Sequence, residues 1–200
     1  MKDSNIHISN LLNHINEKFQ LTDKECSLIS EIVTIRELKK KEFLIRPDSY
    51  SNSMNFISKG CLRTYYIDQE GQEHTLQLGI ENWWINDLYG YITEQPSKMY
   101  VQALENTTIV QIHKPTLENL YTLIPAISHF FREKMQSAYV SLQERTIENM
   151  STDSISRYIT FRKQYRDIEQ RVPQYIVASF LGITPEFLSH LRKKHAKDLS

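Results

Sequence analysis

The spacing of apolar side chains divides the chain into stretches with different periods. Residues 8–19 carry apolar side chains at the steps of three and four that are typical of a helix. Thr22 and Glu25 then form the pattern of a capping box, which predicts a second helix running to about Ile32. From Val33 to His113, short runs rich in β-branched and aromatic residues alternate with turn signals. The predicted strands are Glu42–Arg46, Met54–Ser58, Leu62–Ile67, His74–Leu78, Met99–Glu105 and Thr108–His113. Many short strands at close spacing indicate an antiparallel barrel or sandwich.

Two features interrupt this strand-rich region. Residues 68–71 have the composition of a hairpin turn between two of the predicted strands. Trp83 and Trp84 stand in an aromatic segment that breaks the strand pattern. Neighbouring tryptophans are more often packed side chains than the walls of a ligand cage, and we expect packing here.

After Pro115 the pattern becomes helical and remains so. Pro115 suits the first turn of a helix that ends near Ile124, and Pro125 suits the start of the next helix. An apolar seam then follows one side of a helix of about 25 residues, which is long for a globular domain. Its members are Ile124, Ile127, Phe131, Met135, Ala138 and Leu142, followed by Arg145. The seam either packs along another part of this chain or pairs with a second copy. A further helix is expected from about Ser154, with the domain boundary near residues 149–153.

The most informative pattern lies between Pro173 and Leu191. Pro173 starts one short helix and Gly182 ends it, because glycine adopts the left-handed conformation without the Cβ clash. Thr184 caps a second helix and Pro185 occupies its first position. The apolar positions match a helix-turn-helix: Val177, Ala178, Leu181, Ile183, Leu188 and Leu191. The residues predicted to meet DNA are Thr184, Pro185, Glu186, Ser189, His190, Arg192, Lys193 and Lys194. The alternative is a helical hairpin that merely packs.

Charge distribution favours the DNA-binding interpretation. The formal net charge is zero, yet residues 157–200 contain nine Lys or Arg against four Asp or Glu. A basic end on an acidic body suggests contact with a polyanion, although a solvated charged surface would look the same. The basic run Arg192–His195 directly follows the second helix of the motif.

The order of these elements resembles the Crp/Fnr family of bacterial regulators over nearly the whole chain. The segment from Arg171 to Ser189 is most similar to the Bacteroidetes branch of that family. The resemblance implies an α+β fold with an N-terminal antiparallel β-roll and flanking helices, a long dimerisation helix and an all-α C-terminal helix-turn-helix. The implied domains are a cyclic nucleotide-binding-like sensor at 1–123, the long helix at 124–150 and the DNA-binding domain at 151–200.

The resemblance also assigns roles to individual positions of the second helix. Glu186 stands where the family places a glutamate that contacts a cytosine amino group. Pro185 and His190 stand where the family has arginines, so the target sequence is left open.

The sensor region departs from the cyclic nucleotide-binding pattern of the family. In that pattern, a glutamate holds the ribose and an arginine, followed by a small hydroxyl residue, holds the cyclic phosphate. The matching effector-pocket positions here are Asp87, Ser97, Lys98 and Met99. Ser97 replaces the arginine, and Lys98 supplies a point charge rather than a two-pronged guanidinium. We therefore expect a regulator that does not respond to cyclic AMP.

The remaining expectations concern partners and exclusions. A reader of symmetric DNA needs a dimer, so we expect the seam at Ile124, Ile127, Phe131, Met135, Ala138 and Leu142 to pair with a second copy. Double-stranded DNA is the expected ligand, with RNA polymerase and a small-molecule effector left open as further partners. No phosphate loop, catalytic triad order or metal-ligand spacing stands out, so we expect no enzyme, cofactor or metal.

Location follows from simple features of the chain. The sequence has no apolar run of membrane length, no secretory leader and only Cys26 and Cys61, which indicates a cytoplasmic protein. The competing hypothesis is a ligand-binding or protein-interaction module that has lost specific DNA recognition.

Overall fold

A computed structural model describes residues 2–194 and shows an α+β protein. Two helices, α1 (Lys2–Asn16) and α2 (Asp23–Ile32), precede the strands, and α3 (Leu88–Thr93) lies among them. The strands are β1 (Thr34–Leu38), β2 (Phe43–Ile45), β3 (Ser53–Lys59), β4 (Leu62–Ile67), β5 (Glu73–Gly79), β6 (Tyr100–Ala103) and β7 (Thr107–His113). The later helices are α4 (Lys114–Leu123), α5 (Pro125–Ser151), α6 (Ser154–Gln164), α7 (Arg166–Arg171), α8 (Gln174–Leu181) and α9 (Pro185–Lys194). The predicted antiparallel fold with a helical C-terminal region is confirmed.

The strands form two antiparallel sheets that pack against each other. One sheet has the order β1-β7-β3 and the other has the order β2-β6-β4-β5, which places β5 at an edge. The core between the sheets is built from Leu38, Ile45, Ile57, Leu62, Ile85, Val101, Ala103 and Ile109. Along each strand these inward side chains alternate with residues on the outer face, as the two-residue period of a strand requires.

Helices cover the outer face of the β1-β7-β3 sheet. Phe56, Val110 and Ile112 on that face contact buried residues of α1, α4 and α5. The ring of Trp84 lies 5.5 Å from the ring of Phe56 and 4.9 Å from that of Phe131, centroid to centroid. Trp84 is therefore partly buried and packs against this core, as predicted for the neighbouring tryptophans.

We call residues 2–123 the sensor. The first two turns of α5 belong to its core, which corrects part of the predicted dimer seam. Ile124, Ile127 and Phe131 are at most 2% exposed and pack within their own chain. They offer no surface to a second copy, because apolar side chains of β3, α4 and the loop before α3 already surround them. Met135 is half-buried against the same core, whereas Ala138 and Leu142 are exposed.

The C-terminal unit, α6–α9, has an apolar core that continues into the sensor. Its members include Tyr158, Phe161, Ile168, Val177, Leu181, Leu188 and Leu191. The side chains of Cys61, Leu78 and Trp83 from the sensor belong to the same cluster. The two units are therefore joined by packed apolar surface as well as by α5. None of the helices within residues 2–194 has the length and apolar character to cross a membrane.

Candidate nucleic-acid interface

The turn between α8 and α9 has the local chemistry that the sequence predicted. Gly182 has φ of +66°, the left-handed conformation in which other residues are strained. The Ile183 N–H donates to the Ala178 carbonyl oxygen at 3.0 Å, which closes the end of α8. The Thr184 hydroxyl accepts from the Phe187 N–H at 3.2 Å and caps the start of α9. These contacts fix the path of the chain from α8 into α9.

The two faces of α9 differ sharply in burial. Leu188 and Leu191 are each 1% exposed and anchor the inner face against α6–α8. The exposed residues of the helix and its cap are Thr184, Pro185, Glu186, Phe187, His190, Lys193 and Lys194, and Ser189 is half-buried. An accessible helix face with both charged and hydrogen-bonding side chains can enter a major groove.

Arg192 differs from its neighbours because it turns toward α7. Its Nε lies 3.9 Å from Glu169 Oε1, and Glu169 also accepts from Tyr158 Oη and Arg162 Nε, each at 2.9 Å. Part of the charge of Arg192 is thus balanced within the protein. Lys193 and Lys194 remain exposed in the last turn, whereas His195 lies outside the described residues.

Two exposed aromatic residues of α8 and α9 were not among the residues predicted to meet DNA. Phe187 is 40% exposed in the first turn of α9, and Tyr175 is 55% exposed in the first turn of α8. Neither residue was assigned to a face from the sequence.

The four predicted effector-pocket residues occupy different environments. Asp87 is fully buried and caps α3, where its Oδ1 accepts from the Gly90 N–H at 3.1 Å. Ser97 is 2% exposed, and its hydroxyl accepts from the Met99 N–H at 3.1 Å and donates to the Met99 carbonyl at 3.2 Å. Lys98 is exposed, with its Nζ 5.5 Å from the ring centroid of Tyr89. Ser97 therefore closes a local turn while Lys98 lies at the surface, so together they do not reproduce a phosphate-binding arginine.

A cavity lies elsewhere, at the junction of the sensor and the C-terminal unit. It has a volume of about 240 Å³, and its lining includes Trp83, Tyr165, Lys163 and Arg166. Among residues 2–194, no group of three or more His, Cys, Asp and Glu side chains is arranged to hold a metal ion.

Ion pairs of Arg171 also join the C-terminal unit to the sensor. Arg171 donates to Glu81 through two bonds, Nη1 to Oε2 at 2.7 Å and Nη2 to Oε1 at 2.9 Å, and it also donates to Glu105. The Gly60 N–H donates to Glu81 as well, at 2.7 Å. Burial opposes ionisation of Glu81, but these hydrogen bonds outweigh it and lower its pKa to about 2.

The chain is similar to known proteins in sequence and in structure. Residues 35–122 match the family model described as the cyclic nucleotide-binding domain. The Anaerobic regulatory protein of Haemophilus influenzae is 23% identical, and the match covers 90% of this chain and 74% of that protein. The Transcriptional activator protein anr of Pseudomonas aeruginosa is 25% identical, with coverage of 86% and 74%.

Solved structures show the same fold over most of the chain. FixK2 from Bradyrhizobium japonicum has a TM-score of 0.74 at 12% identity and covers 84% of this chain and 86% of its own. A CooA mutant from Carboxydothermus hydrogenoformans has a TM-score of 0.69 at 19% identity, with coverage of 92% and 84%. Both likenesses extend across the sensor and the C-terminal unit.

Proposed function

We propose that this chain is a transcription regulator of the Crp/Fnr type, similar to the regulators it matches, and that it binds a two-fold symmetric DNA site as a homodimer without responding to cyclic AMP. The similarity of residues 171–189 to the Bacteroidetes branch and the location of the protein in the cytoplasm, with the DNA it reads, are part of this proposal. RNA polymerase and a small-molecule effector are further proposed partners. Asp87, Ser97, Lys98 and Met99 remain the positions proposed for an effector pocket.

The observation that carries the proposal is the presentation of α9. Its inner face is anchored by Leu188 and Leu191, while Glu186, His190 and Lys193 are exposed on the outer face. Glu186 lies in the first turn, where a carboxylate can accept from a cytosine amino group in the major groove. Lys193 and Lys194 lie in the last turn and suit phosphate contacts, which position the helix without reading sequence.

Dimerisation is proposed through the second half of α5. Beyond Met135 the helix leaves the sensor core and carries several exposed apolar side chains. These are Ala138, Tyr139, Val140, Leu142, Ile147 and Met150. Exposed apolar side chains concentrated on one long helix favour pairing with a second copy, which also supplies a second α9, the proposed recognition helix.

The test separates base reading from phosphate contact. Binding-site selection followed by titration at several salt concentrations is carried out for wild type, Glu186→Ala and Lys193→Ala. We expect Glu186→Ala to relax preference at one base pair per half-site, at a cost of about 1–3 kcal/mol of discrimination, with the salt slope nearly unchanged. Lys193→Ala should weaken binding to all sequences and reduce the slope by about one unit for each phosphate that the lysine no longer neutralises.

Lys24→Ala provides the matched control, since Lys24 is exposed on α2 of the sensor. This variant should bind as wild type does. Altered selection by Lys193→Ala alone would mean that α9 docks differently. Failure of the wild type to select any sequence would favour the competing function, a ligand-binding or interaction module without specific DNA recognition.

A further inference from the structure

The edge strand β5 is interrupted at a single residue. Tyr65 pairs with Thr75 and Thr64 pairs with Gln77, so Leu76 is bulged out of the ladder with β4. A bulge bends the strand and turns neighbouring backbone groups away from the sheet. Leu76 is 44% exposed, and β5 has no further strand on its outer side among the described residues. The outward backbone groups of residues 73–76 therefore need partners from outside the sheet.

Arg145 of α5 supplies part of this requirement. Its Nη1 donates to the Leu76 carbonyl, and its Nη2 donates to the Thr75 carbonyl at 2.9 Å. The same Nη2 donates to the Phe180 carbonyl of α8 at 2.7 Å, and the guanidinium carbon lies 3.9 Å from the Phe180 ring centroid. The guanidinium thus touches β5 and α8 at once. Its positive charge also faces the C-terminal end of α8, where the helix dipole is negative.

Ser179 of α8 supplies two further bonds. Its hydroxyl accepts from the Thr75 N–H at 2.9 Å and donates to the Glu73 carbonyl at 2.7 Å. One side chain from the C-terminal unit thereby satisfies two outward groups of the sensor's edge strand. We call Arg145 and Ser179, with the backbone of residues 73–76, the edge clasp.

The edge clasp holds the end of α8 that leads into α9. Ser179 and Phe180 stand in the last turn of α8, and only Gly182, Ile183 and Thr184 separate that helix from α9. Because the turn is fixed by its own hydrogen bonds, any tilt of α8 on β5 is passed to α9. Arg145 itself belongs to the half of α5 that we propose joins two chains. The side chain of Arg145 thus links α5, the sensor and the C-terminal unit.

We propose that Arg145 is a positioning residue for DNA binding, which with Ser179 sets the separation and direction of the two recognition helices in the dimer. This inference rests on the proposed function and deepens it. Two half-sites on one face of DNA have a fixed spacing, so both recognition helices engage only when their relative placement matches it. When α9 is held rigidly, the second recognition helix loses less conformational entropy as it binds the second half-site. Its effective concentration at that half-site also stays high. Binding to one half-site needs no such placement.

The experiment compares a full two-fold site with an isolated half-site, using Arg145→Met, Ser179→Ala and wild type. We expect each variant to bind the full site about tenfold or more weakly than wild type, because the benefit of the second contact is reduced. Half-site affinity should change by less than about twofold. Arg132→Met is the matched control on the same helix, since Arg132 is exposed and bonds to His129. It should match wild type on both sites.

Three outcomes would overturn the proposal. These are unchanged full-site affinity in both variants, an equal loss on full site and half-site, and tighter full-site binding. Ser179→Ala, the smaller change, decides the matter if Arg145→Met does not fold.

Hydrogen exchange at the Thr75 amide gives a second readout that is independent of DNA. That N–H bonds to Ser179, so its exchange should be faster in Ser179→Ala and in Arg145→Met than in wild type or Arg132→Met. Equal protection in all four proteins contradicts the edge clasp itself. If wild type binds no DNA, the proposed function fails while the exchange rates still decide the clasp. If wild type binds and the variants bind equally well, the positioning role alone fails.

Discussion

Ser97 is the residue on which our proposal about cyclic AMP depends. It stands where the resemblance places the phosphate-holding arginine, and its hydroxyl is already engaged with the backbone of Met99 on both its donor and acceptor sides. Lys98 is directed to the surface beside Tyr89. A cyclic phosphate entering this region would lose hydration without gaining a two-pronged partner.

At this scale we predict that cyclic AMP does not bind with useful affinity. Isothermal calorimetry at millimolar nucleotide should show only heat of dilution, for wild type and for Lys98→Met alike. A cyclic AMP-binding relative under the same conditions is the positive control. A micromolar dissociation constant that disappears in Lys98→Met would show that the lysine takes over the arginine's role, and our view of the site would be wrong.

At the scale of elements, features determined by neighbouring residues were the predictable ones. The capping box of Thr22 and Glu25 and the left-handed Gly182 both appear as the sequence indicated. Strand β1 was missed because the charged pair at 36 and 37 hides its alternation, and it forms through pairing with β7. The short helix α7 was missed for a related reason, since its one buried side chain, Ile168, gains its partners only in the folded unit.

The sequence also gave an incomplete account of the long helix α5. Its apolar spacing continues without a break, so periodicity alone could not reveal that the partner changes along its length. The first turns pack in the sensor, whereas Leu142 is 62% exposed. Only the position of the sheet relative to α5 shows which of its residues pack in the sensor and which stay exposed.

We predict opposite behaviour for charge placed in the two halves of α5. Leu142→Asp should leave the monomer folded and shift sedimentation equilibrium toward monomers, because it puts a charge in the proposed interface. Phe131→Asp should instead lower the unfolding temperature sharply, because burying an unpaired carboxylate in the sensor core costs several kcal/mol. Ser137→Asp, exposed on the same helix, is the control. A wild-type protein that sediments as a monomer at micromolar concentration would contradict pairing through α5.

At the scale of the molecule, the sensor and the C-terminal unit are held by a shared apolar cluster and by the ion pairs of Arg171. Cys61 lies within that cluster, and burial raises the pKa of its thiol to about 12, so it acts as an apolar side chain there. Glu81 connects Arg171 to the Gly60 N–H in the turn between β3 and β4. The ion pairs therefore tie the C-terminal unit to a turn of the sensor, in addition to the strand that the edge clasp holds.

Acid should loosen this connection. The pKa of Glu81 is lowered to about 2 in the folded protein, from an ordinary value of 4.5. The stabilisation is therefore complete above about pH 4.5 and is lost progressively as the pH falls toward 2. We predict that Glu81→Gln lowers the unfolding midpoint at pH 6 and that the difference from wild type shrinks at pH 3. Glu31→Gln, exposed on α2, is the control. A difference that stays constant between the two pH values would contradict an ionised Glu81 as the source.

The covering of β5 also bears on solubility. An uncovered sheet edge is a template on which another molecule can add a strand, and this is a common origin of aggregation. Here a serine hydroxyl and an arginine occupy the outward groups of residues 73–76, and the bulge at Leu76 breaks the regular spacing that an incoming strand would need. Arg145 of α5 and Ser179 of the C-terminal unit thus cover this part of the edge. A sensor expressed without α6–α9 would lose the two bonds of Ser179 to this edge, and we expect it to aggregate more readily than the full chain.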